Sequence, residues 1–160
     1  MAQPPDISRM DGNLCLVTGA TRGIGKAIAV TLGEHGATVV GTATTDDGAA
    51  RIDAYLKAAG IEGAGMVLDV TDDDAVAALM KSVGDDFGAP SVLVNNAGIT
   101  RDNLLLRMKH EEWDAVLDAN LKSAYRLCKA ALRGMTRARR GRIVNIASVV
   151  AASGNPGQAN

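Results

Sequence analysis

Three glycines in the segment TGATRGIG, residues 18–25, have a spacing suited to holding a phosphate group. They form the pattern G-x-x-x-G-x-G between an apparent strand and an apparent helix. Without Cβ atoms the loop can turn tightly and admit a pyrophosphate, and the helix N-terminus offers unpaired N–H groups. The pattern predicts a dinucleotide-binding loop, although a tight strand–helix turn also needs some of these glycines. The residues expected to contact the cofactor are Gly19, Thr21, Arg22, Gly23, Ile24 and Gly25.

The end of the second predicted strand, GTATT at 41–45, should meet the ribose of this cofactor. NAD enzymes usually place an Asp or Glu there to hold the ribose 2′-hydroxyl, and this segment has no acid before Asp46. Arg22, helped by Thr44, can instead pair with a 2′-phosphate. We therefore expect NADPH rather than NADH. The alternative is that Arg22 is only a solvated loop charge.

The segment NNAG at 95–98 ends the fourth predicted strand and should lie beside the glycine loop. Asparagine side chains there can bond to the loop backbone and steady the floor of the cofactor site. The residues expected at that floor are Asn96, Ala97 and Gly98. Plain turn chemistry is the alternative, because asparagine and glycine are common in turns.

Strand and helix patterns alternate along the chain. Short apolar runs predict strands at 14–18, 38–41, 65–70, 91–95 and 142–147, and helical spacing predicts helices at 23–35, 46–59, 72–86 and 111–140. This alternation implies an α/β fold with a doubly wound, Rossmann-like parallel sheet in the order 3-2-1-4-5. Such sheets bind ligands at the carboxyl ends of their strands, near the switch between strands 1 and 4.

Two helices carry more detailed expectations. In the first helix, Ile24, Ile28 and Leu32 recur on one apolar face. Thr71 is the expected N-cap of the third helix, whose first turn is acidic as the helix dipole favours. Residues 1–12 are expected to be a flexible tail before a single dinucleotide-binding domain at 13–160.

Composition excludes several classes of protein. Aromatic residues make up only 2% of the 160 residues, which does not suit the stacking platforms of single-stranded nucleic-acid binders. No apolar run is long enough to span a bilayer, and the N-terminus lacks the apolar core of a secretory signal. Cys15 and Cys128 lack metal or disulfide spacing and predict buried thiols in a reducing cytoplasm. His35 and His110 are not at metal spacing either, so no metal is expected.

Positive charge is concentrated at the end of the sequence. Asp118 is the last of the 18 acidic residues, whereas the 17 basic residues continue beyond it. Those beyond it are Lys122, Arg126, Lys129, Arg133, Arg137, Arg139, Arg140 and Arg142. Most recur every three or four residues and should share one helix face. This face is either a docking surface for an acidic partner or simply solvated, and no nucleic-acid motif accompanies it.

The motifs together resemble the short-chain dehydrogenase/reductase family. TGATRGIG, Asp69 after the third strand, NNAG, Asn120 in the long helix and Ser148 after the fifth strand match that family's pattern in order and spacing over 14–160. Within the family, NNAGITRDNLLLRM, GTATT and GRIVNIASVVAASGNPGQAN resemble the 3-oxoacyl-[acyl-carrier-protein] reductases of bacterial fatty-acid synthesis.

This resemblance implies roles for individual residues. Ser148 would polarise the substrate carbonyl, Asn120 would hold a water in a proton relay, and Asp69 with Val70 beside it would face the adenine. Arg139 matches a basic position that docks acyl carrier protein. Without the resemblance, Asn120 would be read as a helix brace and Ser148 as a strand-end hydroxyl.

The resemblance also implies a catalytic Tyr directly after Asn160, followed by a Lys, so we expect a longer protein whose distal part is absent from this sequence. A homotetramer is expected, with the long helix and its apolar residues Trp113, Leu117 and Leu121 either at an interface or against the sheet. The expected activity is NADPH-dependent reduction of 3-oxoacyl-[acyl-carrier-protein] to the (3R)-3-hydroxyacyl product. The alternatives are another NADP-linked short-chain reductase, acting on 3-oxoacyl-CoA, and a non-catalytic nucleotide-binding fragment.

Overall fold

A computed structural model describes residues 9–160. Residues 1–8 of the predicted tail lie outside this range. Within it, the backbone N–H of Met10 donates to the carbonyl oxygen of His35 at 2.7 Å, and the Met10 side chain packs against the core. The end of the predicted tail therefore contacts the first helix of the domain.

Strands and helices alternate through the described chain. The strands are β1 (Leu14–Val17), β2 (Thr38–Ala43), β3 (Gly63–Val67), β4 (Val92–Asn95) and β5 (Arg142–Asn145). The helices are α1 (Gly23–Glu34), α2 (Asp46–Ala58), α3 (Asp73–Asp86), α4 (His110–Leu117), α5 (Ser123–Ala138) and the short α6 (Val150–Ser153). A π-helical segment, Asp118–Lys122, joins α4 to α5, so the predicted helix at 111–140 is continuous but changes its winding midway.

The five strands form one parallel sheet in the order β3-β2-β1-β4-β5, which confirms the predicted topology. Cys15 of β1 lies opposite Val39 of β2 on one side and Val92 of β4 on the other. The winding direction reverses between β1 and β4. Their carboxyl ends therefore open a crevice, as in other doubly wound sheets.

Both faces of the sheet are covered. Leu16, Val40 and Leu93 pack against α3 and α5, whereas Val17 and Val39 pack on the other face against α1 and α2. Because successive strand residues point to opposite faces, burial on both sides produces continuous apolar strands. This explains why β1 and β4 read as unbroken apolar runs. Among residues 9–160, no helix has both the length and the hydropathy needed to cross a bilayer.

Three local predictions were wrong. The third strand pairs with β2 from Gly63 to Val67, rather than over 65–70. The N-cap of α3 is Asp72, whose carboxylate accepts from the N–H groups of Asp74 and Ala75. Thr71 lies in the turn after β3, where its N–H and hydroxyl donate to the Asp69 carboxylate instead of capping the helix.

The third error concerns Ile24 of α1 alone, because Ile28 and Leu32 pack against the core as predicted. Ile24 is 63% exposed, while Gly25 and Ala29 are the buried residues of this helix. A Cβ on Gly25 would collide with the carbonyl oxygen of Gly19, so α1 begins too close to the glycine loop for a larger residue. At the start of α1 the backbone lies so close to the glycine loop that only a small residue can face inward, and Ile24 therefore faces outward.

Candidate functional site

A cleft of about 910 Å³ opens at the carboxyl ends of β1, β2 and β4. We call it the nucleotide cleft. All the residues predicted to bind the cofactor line it: Gly19, Thr21, Arg22, Gly23, Ile24, Gly25, Thr44, Asp69, Val70, Asn96, Ala97 and Gly98. The fold therefore brings together segments that lie far apart in sequence, although their roles stay predictions.

The glycine loop meets the demands expected of a phosphate cradle. Gly19 and Gly23 have positive φ values of 65° and 58°, which residues with a Cβ rarely adopt. A Cβ added to Gly23 would meet nothing within 4 Å, so this position faces open space. The first turn of α1 follows directly, and its N–H groups have no preceding helical carbonyl to bind. The loop and helix thus offer space, backbone donors and a partial positive charge to an anion.

Thr18 fixes the carboxyl end of β1 to that of β4. Its hydroxyl oxygen accepts from the backbone N–H groups of Asn96 and Ala97, both at 3.0 Å, and only 1% of the residue is exposed. Sequence reasoning had not assigned Thr18 to the site. Its position, between the last apolar strand residue and the first glycine, is the signal that could have indicated it.

The two asparagines of NNAG do different work. The Asn96 amide donates to the carbonyl oxygens of Thr18 at 2.8 Å and Gly19 at 3.1 Å, so it holds the glycine loop as expected. The Asn95 amide instead donates to the Asn145 side-chain oxygen at 2.8 Å and links β4 to β5. Only Asn96 lines the nucleotide cleft.

Asp69 and Val70 form the wall of the nucleotide cleft beyond β3. The Asp69 carboxylate accepts from both the hydroxyl and the N–H of Thr71, at 2.7 and 2.8 Å. These bonds, that of the hydroxyl first, lower the pKa of Asp69 below its ordinary value. Asp69 is therefore an anion and an acceptor, able to receive a hydrogen bond from an adenine amine.

A second cleft, of about 480 Å³, lies next to the first and shares Ile99 with it. We call it the substrate cleft, after the role that the sequence resemblance implies for Ser148. Asn120 and Ser148 both line it. The Asn120 side chain pairs with the Ile99 backbone, accepting from its N–H at 2.8 Å and donating to its carbonyl at 2.9 Å. Ser148 is exposed, and its hydroxyl oxygen accepts from the Val150 N–H at 3.2 Å.

Asn120 lies in the π segment that joins α4 to α5. Asn120 is the middle residue of Asp118–Lys122, which has a wider turn than the α-helices before and after it. π turns inside α-helices are frequent at functional sites. The observed pairing of Asn120 with Ile99 is the helix-brace reading that the sequence left open; a role in a water relay stays a prediction.

Arg126 corrects the expectation of one exposed basic face. It is only 7% exposed, and its guanidinium donates to Asp73 at 3.0 Å and to Asp118 at 2.9 Å. The remaining basic residues after Asp118 are exposed. Arg139 ends α5 in the left-handed conformation, with φ 52°, and its side chain lies on this exposed surface.

No group of three or more His, Cys, Asp or Glu suited to a metal ion occurs among residues 9–160. Cys15 is buried in β1, and burial raises the pKa of its thiol to about 11. That thiol is therefore protonated and unreactive at neutral pH.

The whole domain matches one known family. The model of the family described as short chain dehydrogenase matches residues 13–160. The chain belongs to this family. It is 60% identical over 151 residues to the 3-oxoacyl-[acyl-carrier-protein] reductase FabG of Pseudomonas aeruginosa, a match that covers 94% of this chain and 61% of that protein.

Other relatives carry the same name. The FabG of Vibrio cholerae is 56% identical over 151 residues, covering 94% of this chain and 61% of its own length. That of Escherichia coli K12 is 52% identical over 150 residues, covering 94% and 60% respectively. The chain thus spans about three fifths of the length of the curated relatives it matches.

Proposed function

We propose that this chain is the nucleotide-binding part of an NADPH-dependent reductase that converts 3-oxoacyl-[acyl-carrier-protein] to the (3R)-3-hydroxyacyl product. The observation that carries the proposal is the adjacency of the two clefts. The predicted cofactor residues line one, Ser148 and Asn120 line the other, and Ile99 belongs to both. The substrate class and the stereochemistry come from the relatives' name and the sequence resemblance.

The nucleotide cleft fits a dinucleotide phosphate. Gly23 leaves open space where a pyrophosphate would approach the loop and the start of α1. Arg22 and Thr44 are exposed on the same cleft, in reach of a 2′-phosphate, while Asp69 and Val70 would face the adenine. NADPH bound there would supply a hydride to the substrate's 3-oxo carbon.

The protein's own groups must then manage the carbonyl oxygen. Ser148 would donate its hydroxyl hydrogen to that oxygen and polarise the carbonyl. The oxygen would gain its proton from a general acid, and Asn120 would hold a water of the relay that resupplies that acid. The 3-oxo carbon would gain the hydride and the carbonyl oxygen would gain the proton, which together convert the ketone to an alcohol.

The test is NADPH oxidation with a 3-oxoacyl-carrier-protein substrate. We expect turnover with NADPH to exceed that with NADH, and Ser148→Ala to lower kcat by roughly 10²-fold, as for other single oxyanion donors. Ser153→Ala is the matched control, since its hydroxyl bonds only to the carbonyl oxygens of Val149 and Gly154, which flank α6. A preference for NADH would contradict the assignment of Arg22.

The two alternatives give different results in the same assay. Equal kcat/KM for carrier-protein and CoA thioesters would favour the 3-oxoacyl-CoA type of reductase. Nucleotide binding without any oxidation would favour a non-catalytic binding protein. The assay must use the protein as it is made by the cell, because this sequence spans about three fifths of the length of its relatives.

The exposed basic surface supports acyl carrier protein as the partner. Arg139, Arg140 and Arg142 lie together around a shallow cavity at the end of α5. Acyl carrier protein is acidic, so this surface complements it electrostatically. Arg139→Glu should raise KM for carrier-bound substrate but not for a small thioester. Lys57→Glu, the same charge change at the exposed end of α2, is the control.

The outer face of α4 and α5 supports the homotetramer. Trp113, Leu121 and Tyr125 are exposed there by 38%, 67% and 62%, so they do not pack against the sheet. Leu121→Glu should reduce the mass measured by light scattering if this face forms an interface. The expected cytoplasmic location stays a prediction.

A further inference from the structure

The glycine loop has three consecutive carbonyl groups before the cradle, at Thr18, Gly19 and Ala20. A carbonyl turned toward an anion would repel it, so a phosphate-binding loop must keep its oxygens directed elsewhere. The Asn96 amide binds the first two of these oxygens. The third needs a donor of its own.

That donor is Tyr55. Its hydroxyl donates to the carbonyl oxygen of Ala20 at 2.9 Å, across a sequence separation of 35 residues. Tyr55 lies on α2, whereas Asn96 directly follows β4. The backbone N–H of Ala20 in turn donates to the carbonyl of Thr42 in β2 at 2.9 Å. The peptide groups on both sides of Ala20 are thus fixed.

We propose that Tyr55 is a positioning residue for the cofactor pyrophosphate, and that it acts with Asn96 to hold the carbonyls of the glycine loop away from the bound phosphates. The inference rests on the proposed dinucleotide function of the nucleotide cleft. Tyr55 does not line that cleft and acts through the backbone of the loop.

The surroundings of Tyr55 keep its hydroxyl in place. The Lys26 ammonium lies 5.0 Å from the centre of the Tyr55 ring, a cation–π distance that connects α1 to α2 beside the loop. Burial raises the pKa of Tyr55 to about 12. The hydroxyl therefore remains a hydrogen-bond donor at every pH at which the protein would work.

Tyr55→Phe removes only the hydroxyl and keeps the ring. The dissociation constants of NADPH and NADH are measured by nicotinamide fluorescence on the intact protein, well below its unfolding temperature. One hydrogen bond corresponds to a weakening of roughly three- to tenfold. Because the pyrophosphate is common to both nucleotides, we expect the same factor for NADPH and NADH. Arg22→Ala should weaken NADPH alone.

The matched control is Tyr125→Phe, which removes the chain's other tyrosine hydroxyl from an exposed place on α5. It should leave both dissociation constants unchanged. If Tyr55→Phe binds both nucleotides as tightly as the natural protein, the role of Tyr55 is refuted while the proposed function stands. If the natural protein binds neither nucleotide, both proposals fall.

A purely structural role for Tyr55 predicts a different pattern. The variant would then unfold at a lower temperature, while its folded form would bind nucleotide with unchanged affinity. Comparing the unfolding temperature without ligand with the dissociation constants of the folded protein separates the two cases. An unchanged affinity with a lowered unfolding temperature would overturn the proposal.

Discussion

The nucleotide cleft and the substrate cleft are neighbours, but they are held together differently. In the nucleotide cleft, Asn96 reaches the Thr18 carbonyl across 78 residues of sequence, and the Thr18 side chain is buried. In the substrate cleft, Ser148 is exposed and contacts a residue only two positions away. The first cleft is therefore held by bonds that are at least partly buried. The bonds at the second are exposed, whether local, as at Ser148, or distant in sequence, as between Asn120 and Ile99.

This difference has an energetic consequence. Contacts that join distant buried segments contribute to global stability, and leaving a buried carbonyl unbonded costs about 1–3 kcal/mol. Exposed contacts, whether local or distant in sequence, are easily replaced by water and contribute little. We therefore expect substitutions in the nucleotide cleft to reduce stability and binding together. Substitutions in the substrate cleft should reduce turnover alone.

The largest effect should come from Gly25→Ala. The added Cβ would collide with the Gly19 carbonyl oxygen and the Asn96 amide, and α1 cannot move without disturbing its buried contacts with the sheet. Overpacking of this kind costs about 1–3 kcal/mol, and we expect the upper end of that range together with loss of NADPH binding. Urea unfolding and fluorescence titration measure the two effects.

Gly84→Ala is the control for this substitution. Gly84 lies within α3, and a Cβ there would meet nothing within 4 Å. Alanine is favoured over glycine inside helices, so this variant should be more stable by about 0.5–1 kcal/mol. Similar unfolding curves for the two alanine variants would show that the close contact between Gly25 and the glycine loop does not limit stability.

A pair of asparagine variants tests the comparison directly. Asn96→Ala removes the donor to two loop carbonyls, and we expect a loss of about 2 kcal/mol in unfolding free energy and weaker nucleotide binding. Asn120→Ala removes two bonds to the exposed Ile99 backbone and should cost less than about 1 kcal/mol. Its main effect should be on kcat. Equal losses of stability would contradict the contrast between the clefts.

Arg126 sharpens the comparison, because it contacts elements next to both clefts. Its guanidinium binds Asp73, at the start of α3, and Asp118, at the start of the π segment. Arg126→Lys keeps the charge, but a single ammonium lacks the planar fork needed to bind both carboxylates. We expect a loss of about 1–2 kcal/mol in unfolding free energy. Arg133→Lys, at an exposed position on the same helix, should change nothing measurable.

Much of the architecture could be predicted from the sequence. Apolar strands alternating with helices imply a parallel sheet, and right-handed crossovers leave few possible strand orders. The glycine pattern placed the nucleotide cleft, because the backbone conformations of Gly19 and Gly23 require residues without a Cβ. These features depend on short segments and general rules of chain geometry.

The features that could not be predicted are contacts between side chains and distant parts of the chain, which depend on the tertiary structure. Arg126 has the same helical spacing as its exposed neighbours, and spacing alone does not show that it contacts Asp73 of α3 and Asp118 of the π segment. Tyr55 has helical spacing with Ile52 and Leu56, two of the buried residues of α2, but this periodicity cannot show that its hydroxyl meets Ala20. Thr71 and Asp72 are both good N-caps, and the choice depends on where the chain leaves β3.

The smallest expected effect on stability concerns the turn after β3, where Thr71 bonds to Asp69, and it depends on pH. Thr71→Val removes the hydroxyl that contributes most to the lowered pKa of Asp69. Because the folded-state pKa is the lower one, the Thr71 bonds stabilise the fold above the carboxyl's ordinary pKa of 3.8. This contribution disappears as the pH falls through the lowered value. Since Asp69 is exposed, the difference at neutral pH should be about 0.5 kcal/mol or less.

Two measurements check this. The carboxyl carbon shift of Asp69, followed by NMR, should titrate at a higher pH in Thr71→Val than in the natural protein. The gap between their urea unfolding free energies should be present at pH 7 and should close in acid. A gap that stayed constant down to pH 2 would mean that the methyl group changes packing rather than the carboxylate's ionisation. The ionised carboxylate of Asp69 would then contribute nothing measurable to the stability of this wall of the nucleotide cleft.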